Sequence, residues 1–135
     1  REEGDMDINW LAVIAAAASG LVLGGVWYGA LFGAAWLKAA GLTREQAMAG
    51  NKPLMFGGTF VLSLIASATF AMFLGPDVNA TTGALYGLCA GLCWVAASYG
   101  ISYLFEMRPL ALWLINGGYH TVQFTLIGLI LGAWH

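Results

Sequence analysis

The chain has 135 residues, 60% hydrophobic and 9% charged, with a mean hydropathy of +0.77. A soluble domain carries about 25% charged residues, so this composition excludes a water-facing surface over most of the chain. The net charge of −2 is too small to point to a nucleic-acid partner, and the length allows one domain.

Four apolar stretches, over about 8–37, 54–74, 80–105 and 110–134, fill the sequence. A helix needs ~20 residues to cross hydrocarbon. They predict an all-α fold, an integral membrane four-helix bundle in which residues 1–135 form a single transmembrane domain. The flank of the first stretch, Glu2, Glu3, Asp5 and Asp7, is acidic, whereas a secretory leader opens on basic residues and has a shorter apolar run. It therefore reads as a retained helix, with Met6 as the natural start and residues 1–5 as an addition. Gly29 and Gly33 loosen the end of this overlong span, which predicts a bend or tilt over 27–33 and places 31–37 near the headgroups. Thr43 and Gln46 predict a capping box and a short interfacial helix over 43–50. Pro53 opens the second span, and Gly75, Pro76 and Asp77 form a tight turn. Thr81 or Thr82 is expected to cap the third span, and Pro109 suits the first turn of the fourth.

An even number of crossings puts both termini and the 75–79 turn on one side of the membrane. Lys38, Arg44, Lys52 and Arg108 fall on the other, with Arg1 alone opposite. The positive-inside rule then predicts that the loops between spans 1 and 2 and between spans 3 and 4 are cytoplasmic, with both termini outside. Trp10 and Trp134 suit the outer interface, and Trp36 and Trp113 the inner one.

Glycine recurs every four residues: Gly20 and Gly24, then Gly25, Gly29 and Gly33, in the first span; Gly83, Gly87 and Gly91 in the third; Gly128 and Gly132 in the fourth. Residues so spaced share a helix face, and small ones admit close backbone approach. This glycine-zipper pattern predicts helix–helix contacts, within one chain or between copies. A four-helix bundle leaves packing faces over, so a homo-oligomer is expected.

Chemistry concentrates in the fourth span. His120 lies near mid-depth, with Asn116 at i−4, Gln123 at i+3 and Trp113 on the same side. Intramembrane ionisable residues face the bundle interior and often mark a site. The stripe reads either as a polar cavity that binds or passes a small molecule, lipid or proton, or as a hydrogen-bonded clasp to Ser, Thr or Tyr of the third span. Glu106 and Arg108 bracket the turn between the third and fourth spans, as a local ion pair or as a gate or headgroup contact. Cys89 and Cys93 read as small apolar side chains, with neither a disulfide nor a metal expected. Trp27, Tyr28, Trp94, Tyr99, Tyr103 and Tyr119 line a pocket or fill the core. No serine has an evident base and no carboxylates pair within the membrane, so no cofactor and no hydrolytic constellation is expected.

Three stretches carry a resemblance: Asn9 to Val13; Trp27-Tyr28-Gly29 through Trp36; and Leu104-Phe105-Glu106-Met107-Arg108-Pro109, continuing from Leu112 to His120. They resemble a bacterial family of short four-span membrane proteins, domain of unknown function 1761. Where members often carry Pro, this chain has Ala30. The resemblance spans essentially the whole chain and implies a fold and a membrane location without an activity. Three functions compete: a homo-oligomeric bundle with a polar intramembrane site; an accessory or scaffold protein acting through helix association with other membrane proteins; and, least supported, a membrane enzyme acting on a lipid or quinone through His120 or Glu106. Membrane lipids are partners in each case, and nucleic acid in none.

Overall fold

The computed structural model describes residues 8–134. The acidic flank, Arg1 and the expected start at Met6 lie outside the described residues. Among those described, four helices are long and apolar enough to cross a membrane: Trp10–Leu31, Lys52–Leu74, Ala80–Glu106 and Leu110–Ala133. No strand occurs among them.

The first span starts where the Asn9 side chain accepts the Ala12 amide at 3.2 Å, meeting one of the unpaired amides of a helix start. Ala12, Val13, Ala16, Ala17 and Gly20 form its buried face. Its last stretch, Val26–Leu31, is π-helical, and the Phe32 amide donates to the Trp27 carbonyl at 2.8 Å. The expected single stretch over 8–37 is therefore split at Phe32, and a separate helix, Gly33–Ala40, follows. Glycine is required at the restart, since a Cβ on Gly33 would lie 2.6 Å from the Tyr28 carbonyl oxygen. Gly41, left-handed at φ 73°, ends this helix.

In the loop, Arg44–Met48 forms one short helix. The Gln46 amide donates to Thr43 Oγ1 at 3.0 Å and the Thr43 amide to Gln46 Oε1 at 2.9 Å, a reciprocal capping box. Asn51 caps the second span, with Pro53 in its first turn. The cap of the third span is Asn79, which accepts the Thr82 amide at 2.8 Å. Thr81 and Thr82 sit inside that helix, because asparagine, the stronger N-cap, already stands in front of them. The third span is π-helical over Ala90–Ala96 and ends on Met107, left-handed at φ 54°. Pro109 stands just before the fourth span, as its N-cap.

The fourth span is the centre of the bundle and packs on the third and the first, while the second leans chiefly on the first. Against the third span the contact is backbone to backbone: a Cβ on Gly83 would overlap the Gly128 carbonyl, one on Gly87 the Phe124 carbonyl, and one on Gly132 the Asn79 carbonyl. Gly91 faces His120 and Thr121 in the same way. The first-span stripe behaves otherwise. Gly25 and Gly29 have no atom within 4 Å of a built Cβ, and Gly33 meets only the Tyr28 carbonyl just before it, so none of the three shows the close backbone approach to another span that the third-span glycines make. Ala12, Ala16, Ser63, Ser67 and Phe70 supply small and apolar surface where the first two spans meet, and Ile127 and Leu131 close the core from the fourth. Large apolar side chains such as Val22, Leu62, Leu104 and Phe105 point outward, where a bilayer accepts them.

A candidate intramembrane site

Trp113, Asn116, His120 and Gln123 share one face of the fourth span, and each is hydrogen-bonded. The Asn116 amide nitrogen donates to the Tyr103 hydroxyl at 2.8 Å, and its oxygen accepts from the Tyr28 hydroxyl at 2.6 Å. One side chain therefore joins the first, third and fourth spans. The Trp113 indole donates to the Ala96 carbonyl at 2.8 Å, at the end of the π-helical stretch. Gly100 makes room for it, since a Cβ there would lie 2.9 Å from Trp113 Nε1. From the first span, the Trp27 indole donates to the Ile115 carbonyl at 2.9 Å. The Tyr119 hydroxyl returns the link by donating to the Gly20 carbonyl at 2.8 Å.

His120 pairs through Nδ1 with Gln123 Oε1 at 2.8 Å. With that oxygen as acceptor, a neutral imidazole carries its proton on Nδ1 and leaves the Nε2 lone pair free. The ring stacks on Tyr99, centroids 5.0 Å apart at 16°, and meets Tyr119 edge-on at 4.9 Å. Among the described residues the hydrogen bond of His120 runs through Nδ1 alone and the Tyr99 hydroxyl makes none. Both residues are half-buried. The stripe thus divides into groups engaged within the chain (Trp113, Asn116, Gln123) and a His–Tyr pair with spare capacity.

Glu106 and Arg108 approach to 3.9 Å with both side chains well exposed, on the turn and away from the His120 cluster. Cys89 and Cys93 are exposed free thiols, and among the described residues no three His, Cys, Asp or Glu side chains come together. Of the aromatic candidates, Trp94 stays outside the cluster, facing Phe73 at 6.3 Å. Two features went unseen in the sequence. One is the pairing of Asn116 with Tyr28, 88 residues away. The other is Ser67, whose fully buried hydroxyl lacks a partner. The spacing of Ser63 and Ser67 by four, within an otherwise apolar helix, was the available signal for the latter. At the end of the bundle carrying the cations, a cleft of about 210 Å³ is lined by residues including Tyr28, Gly29, Trp36 and Arg44.

Four apolar helices, with polar side chains turned inward among them, define a multi-pass α-helical membrane protein. The chain belongs to the family described as Protein of unknown function (DUF1761), whose model matches residues 11–132. No curated protein and no solved structure matches it.

Proposed function

We propose that this protein is a homo-oligomeric helix bundle of a bacterial inner membrane, its termini outside, that binds or passes a small molecule at His120. The observation that carries the reading is the contrast within one polar face. Trp113 and Asn116 spend their hydrogen bonds on joining the spans and Gln123 spends its oxygen on His120 Nδ1, whereas among the described residues His120 Nε2 and the Tyr99 hydroxyl have none spent. A free acceptor beside a free donor, flanked by stacked rings, suits the hydroxyl- or carbonyl-bearing end of a membrane-dissolved molecule. Ionisable and polar groups at membrane depth that keep unused hydrogen-bonding capacity are candidate places for a ligand.

Native mass spectrometry of protein released gently from membranes tests this, since it reads subunit number and retained mass together. The expected result is a defined oligomer carrying a reproducible extra mass that is lost in His120→Leu and in Tyr99→Phe. An extra mass unchanged by both substitutions rejects the site.

A second reading, an accessory protein acting through helix association, draws on a separate observation. Gly25, Gly29, Gly57 and Gly58 face open space in the single chain, and small-residue faces are where membrane helices meet. A stoichiometric protein partner in pull-downs from native membranes supports it; its absence counts against it.

A further inference from the structure

The cleft of about 210 Å³ lies where the first span ends, between its π-helical turn and the loop helix. Tyr28 and Trp36, edge-on at 5.5 Å, line it together with Gly29, Gly33, Arg44 and Met48. The space beside Gly29 is open, for a Cβ there would meet nothing within 4 Å. Arg44 is exposed, and the one side-chain ion pair among the described residues joins Arg108 to Glu106, so no described carboxylate pairs with Arg44. Lys38 and Lys52 stand at this same end of the bundle, the end at which spans meet the headgroup layer.

The geometry points to a binding site for an anionic phospholipid, with the phosphate on Arg44 and the first methylenes against Tyr28, Gly29 and Trp36. The volume is below the ~300–1,000 Å³ that encloses a whole drug-sized ligand, so the cleft takes the head and the start of one chain while the rest stays in the bilayer. Arginine suits a phosphate because its planar fork donates two parallel bonds. Net negative headgroups are preferred over zwitterionic ones, since the neighbouring lysines repel a terminal ammonium and attract a net anion. This site goes beyond the His120 reading: Arg44 and Gly29 touch neither His120 nor Tyr99, so either proposal can fail alone.

The test is native mass spectrometry of the intact protein with phosphatidylglycerol and phosphatidylcholine of matched acyl chains added in equal amounts. Phosphatidylglycerol is expected to be retained preferentially. Arg44→Gln lowers that retention about tenfold, the worth of one charge-assisted bond. Gly29→Leu, which fills the cleft without a backbone clash, lowers it similarly, and Arg108→Gln leaves it unchanged. Equal retention of the two lipids overturns the site, as does an equal loss in Arg108→Gln, which would mean diffuse charge attraction. Displacement by glycerol phosphate at the lipid's own concentration also overturns it, because the apolar wall would then contribute nothing.

Discussion

Asn116 is held from two sides, donating to Tyr103 at 2.8 Å and accepting from Tyr28 at 2.6 Å. Removing one partner of a buried hydrogen bond costs more than the bond's net worth, about 1–3 kcal/mol, because the group left behind is stranded. Within membranes the measured values are smaller, about 0.6–2 kcal/mol. Asn116→Leu is therefore expected to lower the stability of the bundle by about 1–2 kcal/mol in unfolding experiments in mixed detergent. Tyr28→Phe costs less in the Asn116→Leu background than in the wild type, and strictly additive losses would show that the bond contributes nothing. Ser67 behaves in the opposite sense. Its hydroxyl is buried without a partner, so Ser67→Ala is expected to be neutral or to stabilise by up to about 1 kcal/mol in the same assay; a clear destabilisation would mean the hydroxyl is engaged. The polar stripe itself was legible, because 116, 120 and 123 recur at helical spacing. Its partners were not. Tyr28 lies in a π-helical turn, whose extra residue rotates the side chains that follow off the 3.6-residue period.

At the scale of elements, the same four-residue glycine spacing has two outcomes in one chain. Gly83 and Gly87 lie against the Gly128 and Phe124 carbonyls, whereas Gly25 and Gly29 face nothing. Spacing alone marks a smooth face; whether that face is covered depends on the neighbouring span, and the fourth is where glycines stand opposite glycines. An added methyl at Gly87 forces the third and fourth spans apart. Gly87→Ala is expected to destabilise by about 1–3 kcal/mol, as overpacking does. Gly25→Ala in the same unfolding assay is expected to be neutral or stabilising by up to about 1 kcal/mol, through helix propensity alone. Equal effects at the two positions would place Gly25 in a contact that a single chain does not contain. Element boundaries followed a similar logic. The capping box at Thr43 and Gln46 was readable because both partners lie within one turn. A bend over 27–33 was readable from Gly29 and Gly33, but a full break at Phe32 with a new helix after it was not, since that rests on the Gly33 backbone fitting beneath the Tyr28 carbonyl.

For the whole molecule, the fold brings the two ends of the described chain together: Asn9 Nδ2 donates to the Trp134 carbonyl at 3.4 Å, and Pro76 of the turn between the second and third spans lies beside them. Lys38, Arg44, Lys52 and Arg108 fall at the opposite end, within or beside the loop segments that join the spans there. Loops this short are governed by their lysines and arginines, because each such charge near a helix end opposes translocation, whereas Asp and Glu contribute little. Acidic residues therefore do not offset the bias, and the cation-bearing end is expected in the cytoplasm. Cysteine labelling in bacterial cells decides the point. Cys89 and Cys93 are exposed, so both are first replaced by serine; Asp77→Cys and Glu45→Cys are then made separately in that background. A membrane-impermeant maleimide applied to intact cells is expected to label Asp77→Cys and to reach Glu45→Cys only after lysis. The reverse pattern would invert the molecule and put the Arg44 cleft on the outer surface. Labelling of both sites in intact cells would mean that the two orientations coexist, and that four cations against the single Arg1 are too weak a bias to choose between them.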